Sequence, residues 1–96
     1  MFFKRKKKEK LAVCVINLKK LEGTLDILPK IDQKTRKKLE KVITIQLESC
    51  PKDTKNKISA ILKSIKEELK NKEFDAEAYK VIIKKEIEKI LQKITT

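Results

Sequence analysis

DTKNKISAILKSIKEELKN, residues 53–71, and AEAYKVIIKKEIEKILQKI, residues 76–94, decide the fold. In the first, Ile58, Leu62, Ile65 and Leu69 recur at spacings of four, three and four. In the second, Ile83, Ile87, Ile90 and Ile94 do the same. That period lines one side of a helix; a strand, whose side chains alternate, would scatter it over both faces. Ile61 widens the first stripe, and Val81, Ile82 and Leu91 widen the second. Lys55, Lys63, Lys66 and Lys70 fall outside the first stripe, so that helix has one face to bury and one to leave in water. Between the two, Asp75 is placed as an N-cap and Phe74 to pack on Tyr79 or Ala78. The short link predicts an antiparallel helical hairpin, with Leu62, Ile65, Ile83, Ile87 and Ile90 in the core.

Upstream, Pro29 disfavours helix at Leu28, and Asp32 is a good N-cap for a second helix over 33–49. Its core stripe reads Leu39, Val42, Ile43, Gln46 and Leu47, opposite Lys34, Lys37, Lys38 and Lys41, and Ser49-Cys50-Pro51 ends it. The first element, Glu9 to Glu22, has two readings. Leu11, Val15, Leu18 and Leu21 make a helical stripe with Gly23 as the stop. The run Val13-Cys14-Val15-Ile16 also suits a strand, which would give a hairpin of residues 10–18 and 21–28. Residues 1–8 carry one sign of charge and no periodicity, and read as a disordered basic arm. The expectation is an all-α protein: a small antiparallel three- or four-helix bundle over 9–96, behind a flexible arm.

Ninety-six residues make one domain, and one small enough for a homodimer to help it. There is no His, no Trp, one Tyr and one Gly. Without His the usual general acid–base group is missing, and nothing stands beside either thiol to activate it. Glu67 and Glu68 are adjacent and point apart on a helix, so they are no catalytic pair. Glu86, with Lys89 or Lys93, reads as ordinary helix-surface electrostatics. No phosphate-binding glycine loop or calcium loop is present, and lone cysteines without His make no metal site. The chain is therefore expected to be non-catalytic, with no cofactor or metal.

Cys14 and Cys50 lack metal or redox spacing, and read as two buried, unpaired thiols in preference to a disulfide. Free thiols imply a reducing, cytoplasmic setting. The apolar run Leu11–Ile16 is too short to span a bilayer and lacks the cleavage site of a signal peptide.

The charge is the remaining signal. Lys and Arg number 26 against 14 Asp and Glu, a net +12. The excess sits in residues 1–10 and 51–72, while residues 73–96 are balanced. All but Arg5 and Arg36 of the basic residues are Lys, a point charge suited to general anion attraction, where Arg suits forked recognition. Such a bias also arises from an AT-rich genome or a heat-adapted proteome. The candidate contacts are Lys4, Arg5, Lys6, Lys7 and Lys8 in the arm, Lys34, Lys37 and Lys41 on the second helix, and Lys55, Lys63, Lys66 and Lys70 on the third.

The first expectation for their partner is nucleic acid bound without sequence preference. There is no helix-turn-helix signature, and base-reading and base-stacking residues are scarce. The alternative is an adaptor or inhibitor docking on an acidic protein surface. A further alternative uses the arm on an anionic membrane, with Phe2 and Phe3 inserted. That build is similar to small basic helical immunity proteins, at the level of fold alone and with none of their motifs.

Overall fold

Asp32 opens a helix where its position predicts. Its Oδ1 accepts the backbone N–H of Thr35 at 2.8 Å, satisfying one of the donors that a helix start leaves free. The structure is a computed structural model. It describes residues 2–95, with the side chains of residues 7–95. Among these residues there are four helices and no strand: α1 (Phe2–Thr24), α2 (Gln33–Gln46), α3 (Lys52–Lys70) and α4 (Ala76–Thr95). Short 3-10 turns at Leu28–Lys30 and Leu47–Ser49 lead into α2 and out of it. The chain is thus an all-α antiparallel bundle of four helices, and residues 10–28 form no hairpin. Most of the expected 1–8 arm lies outside the described side chains; Lys7 and Lys8 are exposed on α1.

Gly23 does not stop α1. It has no positive φ, and the helix runs through it to Thr24. The exit comes through turn bonds from Leu25 N–H to Glu22 O and from Ile27 N–H to Thr24 O. The chain keeps turning until Leu25 and Leu28 both point into the core.

α1 is the central helix. Leu11, Cys14, Val15, Leu18, Leu21 and Leu25 form its buried face. It packs along α4 more closely than α3 does, so the hairpin expected of α3 and α4 is antiparallel but is not the tightest pairing. The α1–α4 register is marked by Lys84 to Glu22 at 3.7 Å and Lys80 to Asp26 at 2.6 Å. Continued to the far end, that register sets Thr95 opposite Leu11. The first turns of α1, with Lys7 and Lys8, therefore project past the end of α4.

Cys14 and Cys50 are buried as expected, but they are joined in a disulfide, with Cα atoms 4.9 Å apart. The reading of two free thiols is corrected. α2 returns antiparallel to α1, and the Leu47–Ser49 turn swings residue 50 back against the middle of α1. Nothing in either local pattern reveals a meeting of residues 36 apart in the chain. The Asn17 side-chain amide donates to Gln46 O at 3.0 Å beside it.

The apolar stripes hold with shifts of axis. On α3 the buried set is Thr54, Ile58, Ile61 and Ile65, while Leu62 and Leu69 are half-buried. On α2 Val42 is 47% exposed, and Ile43 and Leu47 carry the contact. On α4 Ile83, Ile87 and Ile90 are buried, but Val81 and Leu91 face outward. Val81 lies roughly 160° around the helix from Ile83, beyond the arc covered by α1 and α3.

Glu86 is corrected too: it is 1% exposed. Its Oε1 accepts the Thr54 hydroxyl at 2.9 Å, and its Oε2 lies 3.3 Å from Lys57 Nζ.

α3 closes with Lys72 at φ 59°, and the Glu73 N–H donates to Glu68 O at 2.8 Å. This is the left-handed helix stop usually taken by glycine. Asp75 then caps α4 through the Glu77 N–H at 3.1 Å. Phe74 stacks on Tyr79 with ring centres 5.7 Å apart, and the Tyr79 hydroxyl donates to Glu68.

Candidate site for an anionic partner

The cations divide by whether a carboxylate already holds them. Lys55 pairs with Glu48, Lys57 with Glu86, Lys80 with Asp26 and Glu77, Lys84 with Glu22, and Lys89 with Asp53. All five lie on the first half of α3 or on α4. The bond to Asp26 holds the Lys80 ammonium above its ordinary range, and the bond from Lys89 holds Asp53 below its own. Apart from Lys57 with buried Glu86, these pairs lie at or near the surface, so water screens them and they add little to stability. Their relevance is to availability: Lys55, expected as a contact, is already occupied.

The other expected lysines of the bundle are open. Lys34, Lys37 and Lys41 on α2, and Lys63, Lys66 and Lys70 on α3, are exposed and enter no ion pair among the described residues. Lys7 and Lys8 are also exposed, off the end of the bundle. The side chains of Lys4, Arg5 and Lys6, and of Phe2 and Phe3, lie outside the described residues.

α2 and α3 are not closely packed against each other. Between the first half of α2 and the second half of α3 runs a groove of about 200 Å³. Its floor is Leu28, Leu39, Ile43, Leu62, Ile65 and Leu69. Leu39, Leu62 and Leu69 are the half-buried residues whose burial the core leaves unfinished. The rim carries Arg36 and Lys37 from α2 and Lys66 and Lys70 from α3, against Glu40 and Glu67.

The groove therefore gathers Lys37, Lys66 and Lys70 from the expected set. Lys34, Lys41, Lys55 and Lys63 do not line it.

Arg36 is the residue that sequence reasoning missed. Its Nε is buried and has no hydrogen-bond partner. A buried donor left unpaired is costly, and a cationic one more so, unless an acceptor is supplied. The signal was present: Arg36, Leu39, Glu40 and Ile43 stand at i, i+3, i+4 and i+7 on one helix face, which puts an arginine beside the core stripe.

The chemistry available is recognition: an apolar floor, a cationic rim and one unmet donor. Among the described residues no group of His, Cys, Asp and Glu could hold a metal ion, and no helix is long and apolar enough to cross a membrane. No family model, curated protein or solved structure matches this chain, and what the groove can bind follows from its own residues.

Proposed function

We propose that this is a non-catalytic binding protein that recognises an anionic protein partner through the α2–α3 face. The observation that carries the reading is the groove: an apolar floor whose rim carries Arg36, Lys37, Lys66 and Lys70 against Glu40 and Glu67, its three lysines outside every ion pair among the described residues. Like charges gathered without partners raise the local potential and draw in an acidic surface.

Nucleic acid is the second reading, favoured by Lys7, Lys8, Lys34, Lys41 and Lys63, which lie outside the groove and suit phosphate contacts. Two features weigh against it. Phosphates have no use for an apolar floor, and Phe74 and Tyr79, the aromatic residues among the described side chains, are stacked on each other.

The paired cysteines favour an oxidising compartment over the cytoplasm. The expectation of a cytoplasmic protein rested on free thiols and loses that support.

The test is a salt series with three charge-reversal sets. Lys37, Lys66 and Lys70 changed to Glu should weaken binding of poly-glutamate and reduce its salt dependence. Lys34, Lys41 and Lys63 changed to Glu should do so less, and Lys84 and Lys89 changed to Glu least. Equal losses from all three sets would leave only a diffuse field. Tighter binding of a single-stranded oligonucleotide than of poly-glutamate would establish the second reading instead.

A further inference from the structure

We infer that the α2–α3 groove receives one amphipathic helix of a partner protein, with carboxylates flanking an apolar stripe on both sides. This rests on the anionic-partner reading and adds the form of the partner.

The length of the groove argues for a helix. Leu62 and Leu69 are seven residues apart on α3, about two helical turns, or roughly 10 Å. A partner helix laid alongside presents anchors at the same intervals, i, i+3 or i+4, and i+7. An extended strand would send every second side chain away from the floor. The volume agrees. About 200 Å³ is too little for a helix but enough for a few aliphatic anchors, given that an apolar cavity of about 150 Å³ takes a benzene molecule. The partner's backbone would lie over the groove and its side chains in it.

The charges define the flanks. Arg36 and Lys37, with Glu40, stand on one bank, and Lys66 and Lys70, with Glu67, on the other, so each bank is net cationic. Carboxylates are thus needed on both sides of the apolar stripe. One of them meets the Arg36 guanidinium where it lines the groove, in a charge-assisted pair. A second copy of this chain is a poor occupant, because α2 and the second half of α3 would bring the same cationic banks together.

The probe is a fluorescein-labelled peptide of about 16 residues, long enough to hold a helix once docked. It carries Leu at the anchor spacing and Glu on both flanks. Three controls accompany it: a scrambled peptide of the same composition, the same peptide with Gln for Glu, and poly-glutamate. Binding is read by anisotropy at about 0.15 M salt, where long-range attraction is largely screened.

The ordered acidic peptide should bind at least about tenfold tighter than the scrambled and Gln peptides, and gain helical circular dichroism on binding. Arg36→Gln should weaken it about tenfold or more. Arg36→Lys, which keeps the charge and loses the fork, should rescue it only in part. Lys84→Glu, on the far side, should leave it unchanged. Melting curves of each variant confirm the fold.

Equal binding of ordered and scrambled peptides would overturn the helix and leave the anionic partner standing. Binding of the Gln peptide as tightly as the Glu peptide would overturn both, as would no binding of any acidic probe.

Discussion

Replacing Cys14 and Cys50 together by Ala puts the heaviest load on the packing described above. The bond closes a loop between residues 36 apart in sequence, and it ties the middle of α1 to the turn between α2 and α3. Opening a loop of that size gives the unfolded chain back entropy worth about 4 kcal/mol in the chain-entropy account. Loss of two buried sulfurs adds on the order of 1 kcal/mol. A domain of this size holds only about 5–15 kcal/mol in all, so the variant should stand close to unfolding.

The assay is urea unfolding followed by helical circular dichroism, on the oxidised protein, the reduced protein and the double variant. The midpoint should fall by about 2 M, and the melting temperature by roughly 20 °C. The slope of the transition should rise slightly, because an uncrosslinked chain exposes more surface when unfolded. In the folded oxidised protein neither cysteine should react with a thiol reagent. A midpoint shift under about 0.5 M, or two titratable thiols in the native protein, would refute the reasoning.

Thr54→Val removes the hydroxyl that serves buried Glu86, and should cost about 1.5–3 kcal/mol in the same denaturation series. Adding Glu86→Leu to it should recover most of that loss, since an apolar pair replaces a half-served carboxylate; a double variant no better than the single would contradict this. Lys72→Gly should raise stability by about 1 kcal/mol, read as a higher urea midpoint, because the left-handed turn at φ 59° strains any residue with a Cβ. The Thr35 side chain, and after it the Thr35 N–H, hold the Asp32 carboxyl below the ordinary carboxylate range, so its stabilisation is present above the unfolded value and is lost as pH falls through the folded one. Asp32→Asn keeps an acceptor for the cap, and should show less loss of helicity in acid than the parent protein.

The sequence revealed what depends on local period and missed what depends on two helices meeting. The stripe Ile83–Ile87–Ile90, Ile58 and Ile65 of the α3 stripe with Ile61 widening it, the cap at Asp32 and the cap at Asp75 each follow from spacing within one helix, and each stands in the structure. Leu62, Val42 and Leu91 satisfied the same spacing and are half-buried or exposed, while Val81 was added to a stripe from which it points away. Whether the margin of a stripe is covered depends on how many neighbours the helix has. α2 and α3 meet only loosely, so Leu62 borders a groove, although its spacing is that of a core residue. The disulfide failed for the same reason: it is a tertiary pairing between two positions that look locally like small hydrophobes.

Glu86 was misread, and Thr54 passed over, by chemistry rather than by geometry. Glu86 continues Ile83, Ile87 and Ile90 at three-four spacing, and Thr54 continues Ile58, Ile61 and Ile65. Assigning polar residues to the surface removed them from stripes they belong to, although two polar residues on facing stripes satisfy each other better than either would satisfy water-free packing alone. Arg36 is the third member of this class. It sits on the stripe of Leu39 and Ile43, yet it has no counterpart to accept from its Nε. Of these three side chains, two have found each other across α3 and α4, and the remaining one lines the groove. An intramolecular device for fixing register needs both members of a pair within the chain, as Thr54 and Glu86 are. A lone member lining an open apolar groove is the pattern of a contact completed from outside.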